Sequence, residues 1–395
     1  MRVSHVALDD FRSWGHVVIE LPAGPTVFLG ANGQGKTNLI EAIAYLSTFS
    51  SHRVSAESSL VRIPLDAEER PPAGAFVRVK TALEDDRSQV LELEIVRGKA
   101  NRARINRTNV KPKDILGLVR TVVFAPEDLQ IIRGDPSVRR AFLDDIAVQI
   151  HPLYSQTKSD FDKVARQRAA LIKQAQVALR RGRVPDISTL SVWDERFAEL
   201  SSQVTAMRAS LVRRLSDPVA TAYDDVADSP RHLALSMDAS IDRKIGTNPD
   251  DSTSADLENV EAQTQRLLAA LERLQDQEME RGVNLVGAHR DDLSLCLGHM
   301  PVKGFASHGE SWSVGLALRL GAFDLLADDG ETPILILDDV FAELDTKRRA
   351  GLTTRMDKAD QVLITAAVEG DIPPELDAHV VKVAWSVDNG SEVQE

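Results

Sequence analysis

The chain has 395 residues, 43% hydrophobic, 27% charged and 5% aromatic, with a net charge of -13 and one cysteine, Cys296. This length suggests two or three domains with a sizeable core, the composition excludes a collagen-like or wholly disordered chain, and one cysteine excludes an internal disulfide framework or a cysteine-based zinc site. The acidic balance argues mildly against a surface that binds nucleic acid everywhere and leaves room for a local basic patch.

Val3, Val6 and Leu8 begin a short strand, and Val17, Ile19 and Leu21 alternate as in a half-buried one. Pro22, Gly24 and Pro25 mark a turn, and Val27-Phe28-Leu29 reads as a strand buried on both faces. Helical spacing starts near Lys36 with Leu39, Ile40, Ile43 and Leu46. Residues 64–74 read as an exposed loop, and 76–80 with 90–96 as an antiparallel hairpin. Val122-Val123-Phe124 is a further buried strand, closed by Pro126. No apolar run approaches the ~18 residues that span a bilayer. The first residues lack an apolar signal core, so we expect a cytoplasmic chain with no membrane partner.

The middle differs in kind. Spacings of three and four run from Phe161 to Ala178, from Trp193 to Leu211 and from Leu257 to Leu274, with Arg168 and Thr264 interrupting the seams. Such spacing fits a compact arm with coiled-coil-like pairing, or equally a plain helical subdomain. Residues 245–255 read as a linker. After Gly282 strand signals return. Leu293, Leu295 and Leu297 alternate, Trp312 to Leu326 reads as a helix, Ile334–Leu337 as a buried strand ending in Asp338-Asp339, and Val362-Leu363-Ile364 as another strand. The α/β signals at both chain ends, split by helices, predict one α/β domain formed by 1–135 with 285–395, carrying a helical arm domain at 136–284.

Gly30-Ala31-Asn32-Gly33-Gln34-Gly35-Lys36-Thr37 matches the phosphate-binding loop G-x-x-x-x-G-K-[ST], with a buried strand before it and an amphipathic helix after it. Glycines let the backbone curl so that its N–H groups point at phosphate oxygens, and the helix N-terminus adds a favourable dipole. Residues 30–37, with Asn38 just beyond, form a candidate nucleotide cradle. Lys36 is expected to reach the β- and γ-phosphates, and the Thr37 hydroxyl to bind Mg²⁺. Asp338, ending a buried strand, is the candidate second Mg²⁺ anchor, through a water; Asp339 is the candidate to polarise the attacking water. Lys36, Asp338 and Asp339 are thus the candidate catalytic set, with ATP and Mg²⁺ as expected cofactors.

Ser307-His308-Gly309-Glu310 stands before the helix that precedes Asp338 and resembles the S-G-G-Q signature of ABC-type ATPases. Ala342-Glu343-Leu344-Asp345 resembles their D-loop. An ordinary helix cap reads the same as the first motif alone, and the order of all four pieces favours the signature. In that superfamily two heads sandwich two ATP molecules. The resemblance therefore implies that Ser307, Gly309, Glu310 and Asp345 act on ATP held by a partner head.

Further blocks narrow the resemblance. They are Leu8-Asp9-Asp10-Phe11-Arg12, the phosphate loop with its helix, Ser51-His52-Arg53, Phe124-Ala125-Pro126-Glu127-Asp128-Leu129, Gly134 through Asp144, Gly287 through Leu293, and Asp338 through Asp345. Together they resemble the RecF family of bacterial DNA-repair ATPases over essentially the whole chain. Rad50 and SMC heads share the core motifs, but their coiled coils are far longer than this insert. The resemblance implies an α/β fold, a P-loop ABC-type ATPase head built from both chain ends with a short helical arm. It implies an ATP-dependent homodimer, a weak, DNA-stimulated ATPase, and binding to single strands and to gapped or junction duplex. It implies work with RecO and RecR to load recombinase in gap repair and replication restart. Arg12 matches an arginine near the nucleotide. Glu127 stands where such ATPases often carry a glutamine that senses the γ-phosphate, and Thr365 stands near the place of their switch histidine; both depart from the pattern. His289 reads as structural.

Candidate DNA-phosphate contacts are Arg102, Arg104, Arg107, Lys111 and Lys113, then Arg139 and Arg140, then Arg180, Arg181 and Arg183. Each cluster alone reads equally as a solvated charged face. Competing classes are a transporter motor, a Rad50-type nuclease partner and a small-molecule kinase. None of these needs the signature, the D-loop and a short helical insert together.

Overall fold

The structure is a computed structural model that describes residues 1–51, 53–54, 56–64, 70–82, 88–227, 231–245, 257–341, 344–373 and 376–394. His52, Ala342, Glu343 and nearly all of the 245–255 linker lie outside the described residues. The chain divides into two compact units. The first comprises 1–129, 218–230 and 307–395; the second comprises 130–217 and 231–306. No helix among the described residues is long and apolar enough to cross a membrane.

The first unit holds a twelve-stranded sheet. Its strands are β1 (Arg2–Phe11), β2 (Trp14–Glu20), β3 (Gly24–Leu29), β4 (Gly74–Ala82), β5 (Ser88–Val96), β6 (Arg102–Ile105), β7 (Thr108–Val110), β8 (Thr121–Phe124), β12 (Ile334–Asp338), β13 (Gln361–Ala366), β14 (His379–Ser386) and β15 (Gly390–Gln394). The remaining three strands, β9 (Leu233–Asp238), β10 (Asp292–Leu297) and β11 (Met300–Pro301), lie in the second unit. The large sheet runs β7-β6-β5-β4-β1-β2-β15-β14-β3-β13-β12-β8.

Two kinds of sequence make the two halves of this sheet. From β14 to β8 the neighbours are parallel. There β12 and β13 are buried at every position, as their continuous apolar runs require when both faces are covered. From β7 to β2 the pairing is antiparallel, and β4 alternates buried and exposed residues over Phe76–Thr81. Helix α1 (Lys36–Thr48) follows β3 and packs Leu39, Ile40, Ile43 and Leu46 into the core of this unit.

Helices α2 (Leu129–Arg133), α3 (Pro136–Ile150), α4 (Tyr154–Arg180), α5 (Leu190–Val226), α6 (Ser240–Ile245) and α7 (Val260–Arg281) come next in the chain. Helix α5 passes from the second unit to the first at Pro218, an internal proline that removes one helical hydrogen bond. Helices α8 (His308–Asp328) and α9 (Thr346–Met356) complete the first unit.

The second unit is not purely helical. The alternation at Leu293–Leu297 is a strand, β10, but it pairs with β9 and β11 in a separate three-stranded sheet. It lies in the second unit and not with the α/β end of the chain that its position in sequence predicts, because alternation reports a strand and says nothing of its partner.

Arg168 does not break its helical seam. It is fully buried, and its guanidinium donates to Asp194 Oδ1 at 2.6 Å, Glu278 Oε2 at 2.7 Å and Asn284 Oδ1 at 2.8 Å. It therefore ties α4 to α5 and α7. Thr264 is half-buried, and its hydroxyl donates to Val260 O within its own helix.

Candidate nucleotide-binding site

The site stands where the parallel strands end. In open α/β sheets ligands bind outside the carboxyl ends of the strands. The loop 30–35 leaves the end of β3, Asp338 ends β12, and Thr365 lies near the end of β13, which pairs with both. Gly30 is required by close packing, since a Cβ there would fall 2.1 Å from Val383 O. Gly35 has φ of 103°, and its Cβ would fall 2.1 Å from Ser391 Oγ. No side chain caps the start of α1, and no acid stands in its first turn. The first turn is thus open to an anion.

Lys36 is 5% exposed and curls back, donating to Gly30 O at 2.6 Å and Ala31 O at 3.0 Å. Burial pushes its pKa down, opposed by the charges of Asp339 and Asp338. Thr37 Oγ1 donates to Asp338 Oδ1 at 2.9 Å, which places a hydroxyl and a carboxylate oxygen side by side. Two such hard oxygen donors fit Mg²⁺.

Thr365 donates its hydroxyl to the same Asp338 oxygen at 2.6 Å and accepts the Asp339 N–H at 2.8 Å. One buried hydroxyl therefore links both acids. Asp339 sits at φ of 55°, a left-handed conformation uncommon outside glycine, and is half-buried. Its carboxylate has no hydrogen-bond partner among the described residues.

Arg12 lies against α1. Its guanidinium grips Glu41 through both oxygens, at 2.9 and 2.6 Å, and donates to Ser59 O at 3.1 Å. Glu41 is 1% exposed and also accepts from Ser51 Oγ at 2.5 Å. Arg53 bridges Glu41 to Asn38 Oδ1, and Asn38 donates to Ser13 Oγ at 2.7 Å, which is bonded in turn to Ser391. Glu41, Ser13 and Ser391 escape sequence reading because only the folded chain brings them to the loop. Gln34 accepts from the Trp385 backbone N–H. Ala31, Asn32 and Gly33 are exposed at the loop crest, with φ of 83° at Gly33.

Glu127 and its neighbour part company. Glu127 is exposed, whereas Asp128 is buried, accepts from Ala125 N at 3.0 Å and pairs with Arg319 at 2.5 Å. Ser307 is the N-cap of α8 and forms a reciprocal capping box with Glu310. Gly309 and Asp345 meet through one residue that the sequence did not single out, Arg348. Its guanidinium donates to Gly309 O at 3.2 Å, to Ser313 Oγ at 2.9 Å and to Asp345.

The DNA candidates fall into different environments. Arg102, Arg104, Arg107, Lys111 and Lys113 are exposed on and after the β6–β7 hairpin at one edge of the large sheet. Arg180, Arg181 and Arg183 are exposed at the end of α4. Arg139 departs from expectation: it is 5% exposed and donates to both oxygens of Asp292 at 2.7 and 2.8 Å, so its guanidinium is committed to packing. Arg140 is half-buried and donates to Asp291 O at 2.7 Å. His289 packs its ring against Phe161 and Phe197, and its Nδ1 is buried without a partner. Burial, and then the charges of Arg290, Arg140 and Arg168, push its pKa down to about 4.

A phosphate loop, an acidic strand end and a signature-like helix start on one sheet define a P-loop ABC-type ATPase head. The RecF/RecN/SMC N terminal domain family matches residues 2–381 of the chain. The chain is 48% identical to the DNA replication and repair protein RecF of Beutenbergia cavernae, over 95% of this chain and 96% of that one. It is 47% identical to its namesake in Streptomyces avermitilis, over 94% and 95% of the two chains. The chain belongs to the RecF family. Its fold matches a structure of the recombination mediator protein RecF-ATPrS in the RecFOR pathway, with a TM-score of 0.83, 24% identity and coverage of 100% and 98%. A Pyrococcus furiosus Smc head domain with an extended coiled coil, bound to the C-terminal domain of ScpA, matches more loosely, with a TM-score of 0.52, 17% identity and coverage of 99% and 95%.

Proposed function

We propose that the chain is an ATP-gated DNA-binding protein of recombinational gap repair and replication restart. ATP with Mg²⁺ binds at the loop 30–37, two heads close on two nucleotides, and the closed dimer holds single-strand–double-strand junctions. Slow, DNA-stimulated hydrolysis resets it, and mediators of the RecO and RecR type join it to load recombinase in the cytoplasm. We assign the ATPase head to the first compact unit, 1–129 with 218–230 and 307–395, and the arm to the second, 130–217 with 231–306, so that β10 and β11 belong to the arm.

One observation carries the nucleotide reading: Thr37 Oγ1 and Asp338 Oδ1 stand 2.9 Å apart beside a buried Lys36 that, among the described residues, donates to the loop carbonyls of Gly30 and Ala31. A γ-phosphate competes for that ammonium better than neutral carbonyls do, because charge-assisted bonds are the stronger. Mg²⁺ between Thr37 and Asp338 would supply charge neutralisation on the phosphates. Asp339, one residue on and without a hydrogen-bond partner among the described residues, is the group that takes or orients the water proton. Arg12, held by Glu41, positions the first turn of α1. Ser307 at the N-terminus of the 21-residue α8 offers the partner's γ-phosphate a hydroxyl and a helix dipole. The family name and the RecFOR neighbour support the DNA and mediator parts of the reading.

The test is equilibrium binding of a fluorescent ATP analogue with Mg²⁺. Lys36→Ala is expected to weaken binding by about a hundredfold, the loss of one well-placed charged contact. Unchanged affinity in Lys36→Ala would remove the loop from nucleotide binding.

A further inference from the structure

The second unit carries a basic concavity unrelated to the loop 30–37. It has a volume of about 550 Å³ and is lined by five cations, Arg140, Arg243, Lys244, Arg281 and Arg290, against one carboxylate, Asp135. The cations come from α3, α6, the end of α7 and the segment that follows it, so no stretch of sequence shows them together. A net charge of -13 for the chain makes this convergence unlike its surroundings.

Folding uses only part of this charge. Arg243 is paired with Asp238 and donates to Arg290 O at 2.6 Å, and Arg290 Nε donates to Asn284 O at 3.2 Å. Arg140 uses one nitrogen on Asp291 O. Lys244 and Arg281 are exposed and have no ion pair or side-chain hydrogen bond among the described residues. His289 lines the same concavity, and its Nδ1 is a buried polar atom with no hydrogen-bond partner among the described residues. Val283 and Leu285 supply an apolar wall. A convergent set of cations around one compact volume suits a small, multiply charged anion. A terminal phosphate carries about two charges at neutral pH, whereas an internal phosphodiester carries one. Internal diesters are tracked by strips of cations rather than by a closed cluster.

We propose that this concavity is a second anion site, which takes a terminal phosphate group as carried by a free nucleotide or by the end of a nucleic-acid strand. It does not depend on ATP binding at the loop 30–37. The experiment compares wild type, Lys36→Ala, and Lys244→Glu with Arg281→Glu, all in the full chain. Two sets of probes are used: a fluorescent mononucleotide, and one oligonucleotide bearing either a 5′-phosphate or a 5′-hydroxyl. His289 imidazole NMR shifts are followed alongside, because that ring lines the site and not the loop. The expected result is a preference of at least about fivefold for the phosphorylated end, or saturable mononucleotide binding that moves the His289 signals. Either is kept by Lys36→Ala and lost in the double Glu variant; the first names a strand end and the second a free nucleotide. Lys244 and Arg281 are exposed and have no ion pair among the described residues, so the double variant is expected to fold, with circular dichroism as the check. Equal affinity for both ends together with unmoved His289 signals would overturn the proposal, as would any phosphate effect that the double Glu variant retains.

Discussion

Replacing Thr365 by Val should damage hydrolysis more than nucleotide binding. The change replaces one hydroxyl by a methyl group of similar size, so its main effect is the loss of that hydroxyl's hydrogen bonds. That hydroxyl is 1% exposed and makes two bonds, to Asp338 Oδ1 at 2.6 Å and from Asp339 N at 2.8 Å. The first is charge-assisted and worth about 1.5–3 kcal/mol, and loss of the second leaves a half-buried N–H without its partner, at a cost of about 1 kcal/mol. If about 1.4–2.7 kcal/mol of this falls on the placement of Asp338 and Asp339 in the transition state, turnover drops about 10–100-fold. Phosphate release at saturating Mg²⁺-ATP and gapped DNA measures it, with ATP affinity measured alongside. Thr365→Ser keeps both bonds and should stay within about threefold of wild type. The reasoning fails if the Val variant hydrolyses ATP within about twofold of wild type, or if Ser is as impaired as Val.

Arg168→Ala should lower the unfolding free energy by about 3–5 kcal/mol, because it strands Glu278, which is 1% exposed, as a buried charge. Urea unfolding followed by tryptophan fluorescence measures this, and a loss below about 1 kcal/mol would contradict the buried-hub assignment. His289 gives a pH dependence. Its folded pKa of about 4 lies below the ordinary 6.5, so the unfolded chain binds the proton more readily. The stability this supplies is full above about pH 6.5 and is lost as pH falls towards 4, by about 3 kcal/mol. His289→Phe should flatten that slope in urea titrations at pH 7 and pH 4.5, and an unchanged slope would place the titrating group elsewhere. Arg348→Ala should weaken ATP-dependent dimerisation about tenfold while leaving monomeric ATP affinity unaltered, because Arg348 ties Gly309 and Asp345 together away from the phosphate loop. Sedimentation at several protein concentrations checks this, and wild-type dimerisation would show that the link is dispensable.

What the sequence reveals depends on how local the cause is. The parallel strands are legible because burial on both faces demands unbroken apolar runs, as in Ile334–Leu337. The phosphate loop is legible because its glycines and lysine are contiguous, and the conformations they permit appear at Gly33 and Gly35. Pairings across the fold are not legible. Thr365 meets Asp338 because β13 lies beside β12 in a register that places them level. Arg12 reaches Glu41, and Arg348 reaches Gly309, only once the chain has closed. Charge is the hardest signal to read: Arg139 and Arg168 look like surface cations in sequence, yet Asp292 and Glu278 hold them inside. The basic concavity is the reverse case, since its five cations come from four segments.

The central claim is ATP-gated closure on DNA, and sedimentation of Asp339→Asn tests it most directly. Asparagine tolerates the left-handed backbone that Asp339 adopts at φ of 55°, so the substitution removes the charge and keeps the fold. The variant should trap ATP unhydrolysed, sediment as a dimer with Mg²⁺-ATP and as a monomer without it, and carry gapped duplex with it in a salt-sensitive way. A variant that binds ATP, stays monomeric and leaves DNA behind at low salt would contradict the account.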